Sequence, residues 1–215
     1  CVKIFGAGIG RVEGYGTGIV VSNEGHILTA SGVMLSGQRI YVVTHDGKRH
    51  QAKVLRRSQD LQVAMLKIDA TTQEHFELKP QLKIAQGDWV LSVSNLFKVA
   101  DGSEQLSVNL GVISLRTSLK TKRGTQDVPY AADVLLIDAI TSNPGAAGGA
   151  LVEVDGQLVG MIGRILESRD TRTRLNYAVP ADLLYKFYHG QPLDSTDAVV
   201  EVPGGGEQYL GSRVF

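Results

Sequence analysis

The chain has 215 residues, 43% of them apolar, which is enough for one large domain or two small ones with a self-sufficient core and excludes disorder. Lys and Arg number 22 against 22 Asp and Glu, so no global positive field gathers nucleic acid or an anionic membrane, and partners must be recognised locally. A lone cysteine, Cys1, excludes an internal disulfide and leaves the redox compartment open. The chain opens on Cys1 directly against an apolar alternation, which reads as a fragment or processed product and leaves no spacer for a lipidated cysteine.

In chain order, short alternating apolar segments between glycine-rich turn signals predict strands at Val2–Phe5, Gly16–Val21, Ile27–Thr29, Arg39–Val43, Gln51–Arg56 and Val63–Ile68. Asn23-Glu24-Gly25 and Asp46-Gly47 supply the positive φ that hairpin turns require. A polar stretch from Asp69 to Asp88 carries the chain between units, with the boundary placed after Pro80. A second strand set follows at Trp89–Val93, Ser107–Ser114, Val134–Asp138, Ala150–Val154, Gln157–Gly163 and Leu175–Val179, with the basic, Gly- and Pro-containing segment 116–132 expected as an exposed loop. After Pro180 the pattern turns helix-compatible over Ala181–Tyr188. Six strands twice and one helix predict an all-β fold of two small six-stranded antiparallel barrels with a short C-terminal helix. The units are residues 1–80, residues 81–190 and a tail over 191–215.

Several stretches resemble HtrA-type serine proteases, whose catalytic domain has the trypsin-like fold. They are Gly16-Thr17-Gly18-Ile19-Val20-Val21 through Ile27-Leu28-Thr29, Gly87-Asp88-Trp89-Val90 with Asn95-Leu96-Phe97, and Ser107–Ser114. Asn143-Pro144-Gly145-Ala146-Ala147-Gly148-Gly149-Ala150-Leu151, Asp155-Gly156-Gln157-Leu158-Val159-Gly160 and Asn176-Tyr177-Ala178-Val179-Pro180 follow in family order. The tail adds Gly204-Gly205-Gly206, which reads as a linker, and Gln208–Phe215, which resembles the first strand of the PDZ-type domain that follows in this family.

The family's chemistry needs a hydroxyl nucleophile, an imidazole to take and return its proton, and a carboxylate to orient the imidazole and stabilise its cation. The resemblance places the histidine at Gly32, the aspartate at Gln62 and the nucleophile at Ala147, and none of these side chains can do that work. Ala146 and Ala150 also depart from the family's usual Asn and Pro, so natural degeneration accounts for the set better than one engineered serine replacement. Triad members act as a unit, so losing one nucleophile or base lowers turnover on the order of 10⁶. What the main chain still offers is an oxyanion-hole-like row of amides at Gly145, Ala146 and Ala147. The family's primary side-chain pocket implies a groove lined by Gly160, Met161, Ile162, Gly163 and Arg164.

Nearby substitutes are wanting: Asp60 would have no histidine to orient, and Ser31 and Ser142 would each need a base within reach. His26, His45, His50, His75 and His189 are expected as solvated surface residues. His45 and His50 flank the Asp46-Gly47 turn but make only two metal ligands, so no metal is expected. Lys120, Lys122 and Arg123 form a basic run that suits an acidic partner or a solvated loop equally. The expected function is therefore an inactive protease homologue that binds extended polypeptide or a protein partner, with no cofactor. The resemblance implies a trimer or larger homo-oligomer in a bacterial cell-envelope or periplasmic setting. The alternatives are a serine hydrolase with a relocated nucleophile and base, and a structural oligomerisation domain.

Overall fold

The computed structural model describes residues 1–9, 12–37, 39–72, 74–123, 126–164, 166–167 and 174–193. The tail with its glycine run and the strand expected over Gln208–Phe215 lie outside them, as do the side chains of Lys120, Lys122 and Arg123.

The first six strands are β1 (Val2–Ile9), β2 (Val12–Val20), β3 (His26–Ala30), β4 (Ile40–Val43), β5 (Arg49–Ser58) and β6 (Val63–Ile68). They close into an antiparallel barrel in the order β1-β2-β3-β6-β5-β4. The second barrel, ordered β10-β11-β14-β9-β8-β7, uses β7 (Trp89–Ser94), β8 (Ser107–Arg123), β9 (Gln126–Ile137), β10 (Ala150–Glu153), β11 (Leu158–Ile162) and β14 (Tyr177–Pro180). Between β11 and β14 a two-residue pair, β12 (Leu166–Glu167) and β13 (Arg174–Leu175), forms a separate ladder. Closure leaves neither barrel an unpaired edge. The turns at Gly25 (φ 86°) and Gly47 (φ 76°) take the positive φ that their glycines permit.

Three apolar clusters organise the molecule. Ile4, Ile27, Val42, Leu66 and Ile68 fill the first barrel, and Val90, Ile113, Leu135, Leu151 and Val159 fill the second. The third lies between the barrels, where Ile19, Leu28 and Val63 of the first meet Met161 and Val179 of the second. β3 and β11 each face a barrel interior on one side and this shared core on the other, so their burial is almost continuous and not alternating. The helix α1 (Ala181–His189) buries Ala181, Leu184 and Phe187 and so spends its apolar stripe on the same shared core. It ends at Gly190, whose left-handed φ of 69° lets the Gly190 and Gln191 amides turn back to the Phe187 and Lys186 carbonyls. Arg56 of β5 reaches across the barrels to donate to the Phe187 and Tyr188 carbonyls, and its guanidinium lies 4.7 Å from the Phe187 ring centre.

One expectation needs correction. In its described residues the segment 116–132 is not a loop: β8 and β9 continue past the barrel as a paired ribbon, from Thr117↔Val134 to Arg123↔Gln126. A ribbon beyond the core needs no apolar alternation, which is why composition misleads there. Its register slips between Leu119 and Thr121, on the stretch facing Pro129, a residue with no N–H to give to the ladder. Arg116 ties its base to Asp133 (3.1 Å) and to Asp182 of α1 (2.9 Å). Among the described residues no helix is long and apolar enough to cross a membrane.

Candidate functional site

Three chain segments meet at one end of the β2–β3–β6 ladder: the exit of β3 through Ser31 and Gly32, the turn Ser58–Gln62 entering β6, and the loop between β9 and β10. Ala30 pairs with Val63 as the last rung between β3 and β6. Beyond it the Ser31 amide donates to the Gln62 carbonyl at 2.7 Å. Gln62 holds a left-handed φ of 52°. The fully buried Leu61 beside it enters the shared core and fixes the turn, while the Gln62 amide donates to Gln59.

The loop Asn143–Gly149 owes its shape to two glycines with positive φ, Gly145 (88°) and Gly148 (86°). Gly148 donates to Ile162 (2.9 Å), Ile162 to Gly149 (2.8 Å) and Gly149 to Ala146 (3.0 Å), so the loop is sewn to β11. Across the barrels, Thr17 of β2 is the anchor. Its amide donates to the Ala147 carbonyl (3.2 Å) and its hydroxyl to the Gly145 carbonyl (2.7 Å). The Thr17 oxygens in turn accept from the Asn95 amide (2.9 Å) and the Thr29 hydroxyl (2.6 Å). Thr17, Thr29 and Asn95 are wholly buried and mutually satisfied, as buried polar groups must be if they are not to cost stability. These bonds hold Ser31 to Gln62 and anchor Ala147 on Thr17.

The three residues are unequal in their surroundings. At Gly32 the backbone is extended (φ −161°) and an added Cβ would find no atom within 4 Å. At Gln62 the side-chain Oε1 is buried and has no hydrogen-bond partner among the described residues. At Ala147 the carbonyl is held by Thr17, while among the described residues no carbonyl accepts the amide of Gly145 or of Ala147. The Ala146 amide is satisfied by Asn143 (3.2 Å). Two of the three amides in the expected row are thus left for another acceptor.

The groove residues divide. Met161 belongs to the shared core and Ile162 is fully buried beside Gly149, so both back the site without offering it surface. Gly160 pairs with Leu151 and Pro180 inside the sheet. Gly163 lies against the Tyr177 ring, which occupies the space a Cβ would need; its amide donates to the Tyr177 carbonyl (2.9 Å). The Arg164 amide donates to the Tyr177 hydroxyl (3.1 Å), and burial pushes that phenol up to about 12.

Two features were not visible in local sequence patterns. The Thr17–Asn95 network joins residues far apart in the chain, and only the loop geometry gives them a role. Phe97 and Lys98 hold consecutive left-handed conformations (φ 53° and 56°), and the Phe97 amide donates to the Pro144 carbonyl (2.9 Å), next to Gly145. Such conformations cost on the order of 1–3 kcal/mol each and persist only where surroundings impose them. Here the Asn95 side chain imposes them by bonding both the amide and the carbonyl of Ala100.

Of the histidines, His45 and His75 are exposed as expected. His26 is not simply solvated: its Nδ1 lies 2.8 Å from the Ser22 hydroxyl and 3.9 Å from Glu24, and its ring meets Tyr188 edge-on. His50 sits in register with Val42 on β5, and Asp46 beside it is engaged by Lys48 and Thr44. Among the described residues no group of three His, Cys, Asp or Glu side chains is placed to hold a metal ion.

Two closed six-stranded barrels with the site at their junction define a trypsin-like architecture. The model of the trypsin-like peptidase domain matches residues 16–161, and the chain belongs to that family. Its curated relatives include probable periplasmic serine endoproteases, DegP-like, of Chlamydia muridarum (28% identical over 166 residues, 77% of this chain and 31% of the relative) and of Pseudomonas putida (28% over 173 residues, 80% and 34%). The chain thus spans about a third of the length of these relatives. Among solved structures it is similar to the serine endoprotease from Yersinia pestis (TM-score 0.67, 26% identity, 88% of this chain and 61% of that one). The HtrA-type protease AlgW, solved with a tripeptide, aligns with TM-score 0.67 at 26% identity, covering 88% of this chain and 60% of its own.

Proposed function

We propose that this domain is a catalytically inactive HtrA-type serine protease homologue that binds extended polypeptide. What supports it is the residue set that the family resemblance puts at the base, carboxylate and nucleophile positions: Gly32, Gln62 and Ala147, none of which can transfer a proton or attack a carbonyl. The amides of Gly145 and Ala147 keep the capacity to donate to a peptide carbonyl. The units 1–80 and 81–190 act together, since the site lies between them. The relatives' names support a periplasmic setting, and the family resemblance supports a homo-oligomer, a trimer in its simplest form.

The deciding experiment mixes the protein with a fluorescently labelled unfolded polypeptide and follows anisotropy over hours. A prompt rise that stays level is expected; a lasting fall not inherited from a contaminating protease would overturn inactivity, and no change would favour a structural oligomerisation domain. The triple variant Gly32→His, Gln62→Asp, Ala147→Ser should convert the level signal into a fall, because it restores all three roles together.

A second reading, a serine hydrolase with a relocated nucleophile, has the Ser22–His26 contact in its favour. The same hydroxyl accepts the His26 backbone amide (3.2 Å), which makes the pair a lock for the β2–β3 turn. Covalent labelling of Ser22 by a serine-reactive phosphonate would revive the hydrolase, and an unlabelled Ser22 sinks it.

A further inference from the structure

We propose that the cleft between the linker joining the two barrels and the β10–β11 hairpin binds a small zwitterion of the α-amino-acid class, its carboxylate on Lys83 and its ammonium on Glu153. The proposal is independent of the polypeptide-binding function above, because none of the residues lining this cleft belongs to the site at the barrel junction.

The first support is that the cleft has fixed walls. Along the linker, Leu78 and Leu82 pack against the shared core, and Leu82 and Ile84 against the core of the second barrel. Lys79, Gln81 and Lys83 alternate with these anchors and line the cleft from the linker side. Glu153 and Gln157 line it from the hairpin, at the two ends of a turn in which the Glu153 amide donates to the Gln157 carbonyl (2.9 Å). Lys79 ties linker to hairpin by donating to Gln157 Oε1 (2.7 Å). The cleft measures about 460 Å³, within the range of about 300–1,000 Å³ typical of small-molecule sites.

The second support is that opposite charges share this cleft without pairing. Among the described residues neither the Lys83 ammonium nor the Glu153 carboxylate makes a hydrogen bond or an ion pair. Lys79 uses one N–H on a neutral amide and keeps its other donors. Burial and the like charges of Asp155 and Asp88 hold the Glu153 carboxyl above its ordinary range, with Lys79 pulling the other way. A carboxylate so placed gains from a cation that reaches it closely, and no side chain among the described residues does.

The third support is that the two signs select the ligand. A simple anion drawn to Lys83 meets the carboxylates of Glu153, Asp155 and Asp88, and a simple cation drawn to Glu153 meets Lys79 and Lys83. A molecule that carries both charges a few atoms apart finds an opposite charge at each end. The side-chain amides of Gln81 and Gln157 add neutral donors and acceptors for the same polar groups. Pro80 is the one apolar lining residue, so the cleft suits a ligand that is polar over most of its surface.

The probe is L-alanine, titrated into the whole chain near neutral pH, where its ammonium and carboxylate are both charged, and followed by backbone-amide NMR. N-acetyl-L-alanine, which lacks the ammonium, and L-alaninamide, which lacks the carboxylate, are the matched controls. Saturable shifts are expected at Gln81, Lys83, Glu153 and Gln157 with L-alanine, and about tenfold weaker binding of either control, since each gives up one charge-assisted bond. In Glu153→Gln the advantage over N-acetyl-L-alanine should vanish; in Lys83→Met, which keeps the stem and removes the charge, the advantage over L-alaninamide should vanish. An absence of saturable shifts at these residues overturns the proposal, as does either advantage surviving its variant. Equal binding of N-acetyl-L-alanine would make the cleft a plain anion site and equal binding of L-alaninamide a plain cation site, and each of these also overturns it. The comparison of the three compounds on the unaltered chain decides the matter even if a variant fails to fold, and the outcome of the anisotropy assay does not bear on it.

Discussion

Gly148→Ala and Gly32→Ala form a controlled pair, two glycines of one site with opposite surroundings. At Gly148 the backbone holds φ 86°, so a Cβ costs about 1–2 kcal/mol in conformation alone. That Cβ would also fall inside contact distance of the Thr17 carbonyl and lie 2.5 Å from the Thr29 hydroxyl. Both atoms belong to the buried network anchoring the loop, so neither can yield without breaking bonds to Gly145 or Thr17. Overpacking of this kind adds roughly 1–3 kcal/mol, for a total loss of about 2–5 kcal/mol. At Gly32 neither penalty exists, and the change should fall within about 0.5 kcal/mol of neutral, or stabilise by up to about 1 kcal/mol through lost freedom of the unfolded chain. In urea unfolding the first variant should lower the midpoint by about 1 M or more at unchanged slope, and the second should barely move it. If Gly32→Ala proves as damaging as Gly148→Ala, Gly32 is a packing requirement, and the open space argued for it does not exist. A neutral Gly148→Ala would refute the anchoring of the loop on Thr17.

Arg56→Ala should destabilise by about 1–3 kcal/mol, since it removes two charge-assisted bonds to the end of α1 and the contact with Phe187; Arg56→Lys should recover little, because an ammonium lacks the planar fork. Thermal unfolding of the two variants checks this. Asn95→Ala should cost about 2–3 kcal/mol by orphaning the buried Ala100 groups, and hydrogen exchange should accelerate at Ala100. Tyr177 gives a pH signature. Its folded-state value is raised from the ordinary 10.0 to about 12, so its contribution is fully present below about 10 and is lost as the pH climbs through about 12. Tyr177→Phe should flatten that alkaline decline, measured as unfolding midpoint against pH with tyrosinate absorbance as the monitor; an unchanged decline would place the loss elsewhere.

Local alternation and turn chemistry determined much of the fold. Glycines at Gly25 and Gly47 marked hairpins that exist, and every expected barrel strand overlaps an observed one, because strands that line a core carry their own record of which face is buried. Extents were less legible. The β8–β9 ribbon escaped notice because pairing outside a core is held by backbone bonds that leave no apolar pattern. The residue types at Gly32, Gln62 and Ala147 were equally plain in the sequence, since the presence or absence of a hydroxyl, an imidazole or a carboxylate needs no coordinates. Only the tertiary structure decided how those positions are surrounded. That Gly32 opens onto free space, that Gln62 buries an unmatched oxygen, and that Met161 and Ile162 are core residues all depend on neighbours remote in the chain. Thr17 shows the reason most directly: its partners Asn95, Gly145 and Ala147 lie on the other barrel, and long-range contacts of this kind exist only once both barrels have closed and packed.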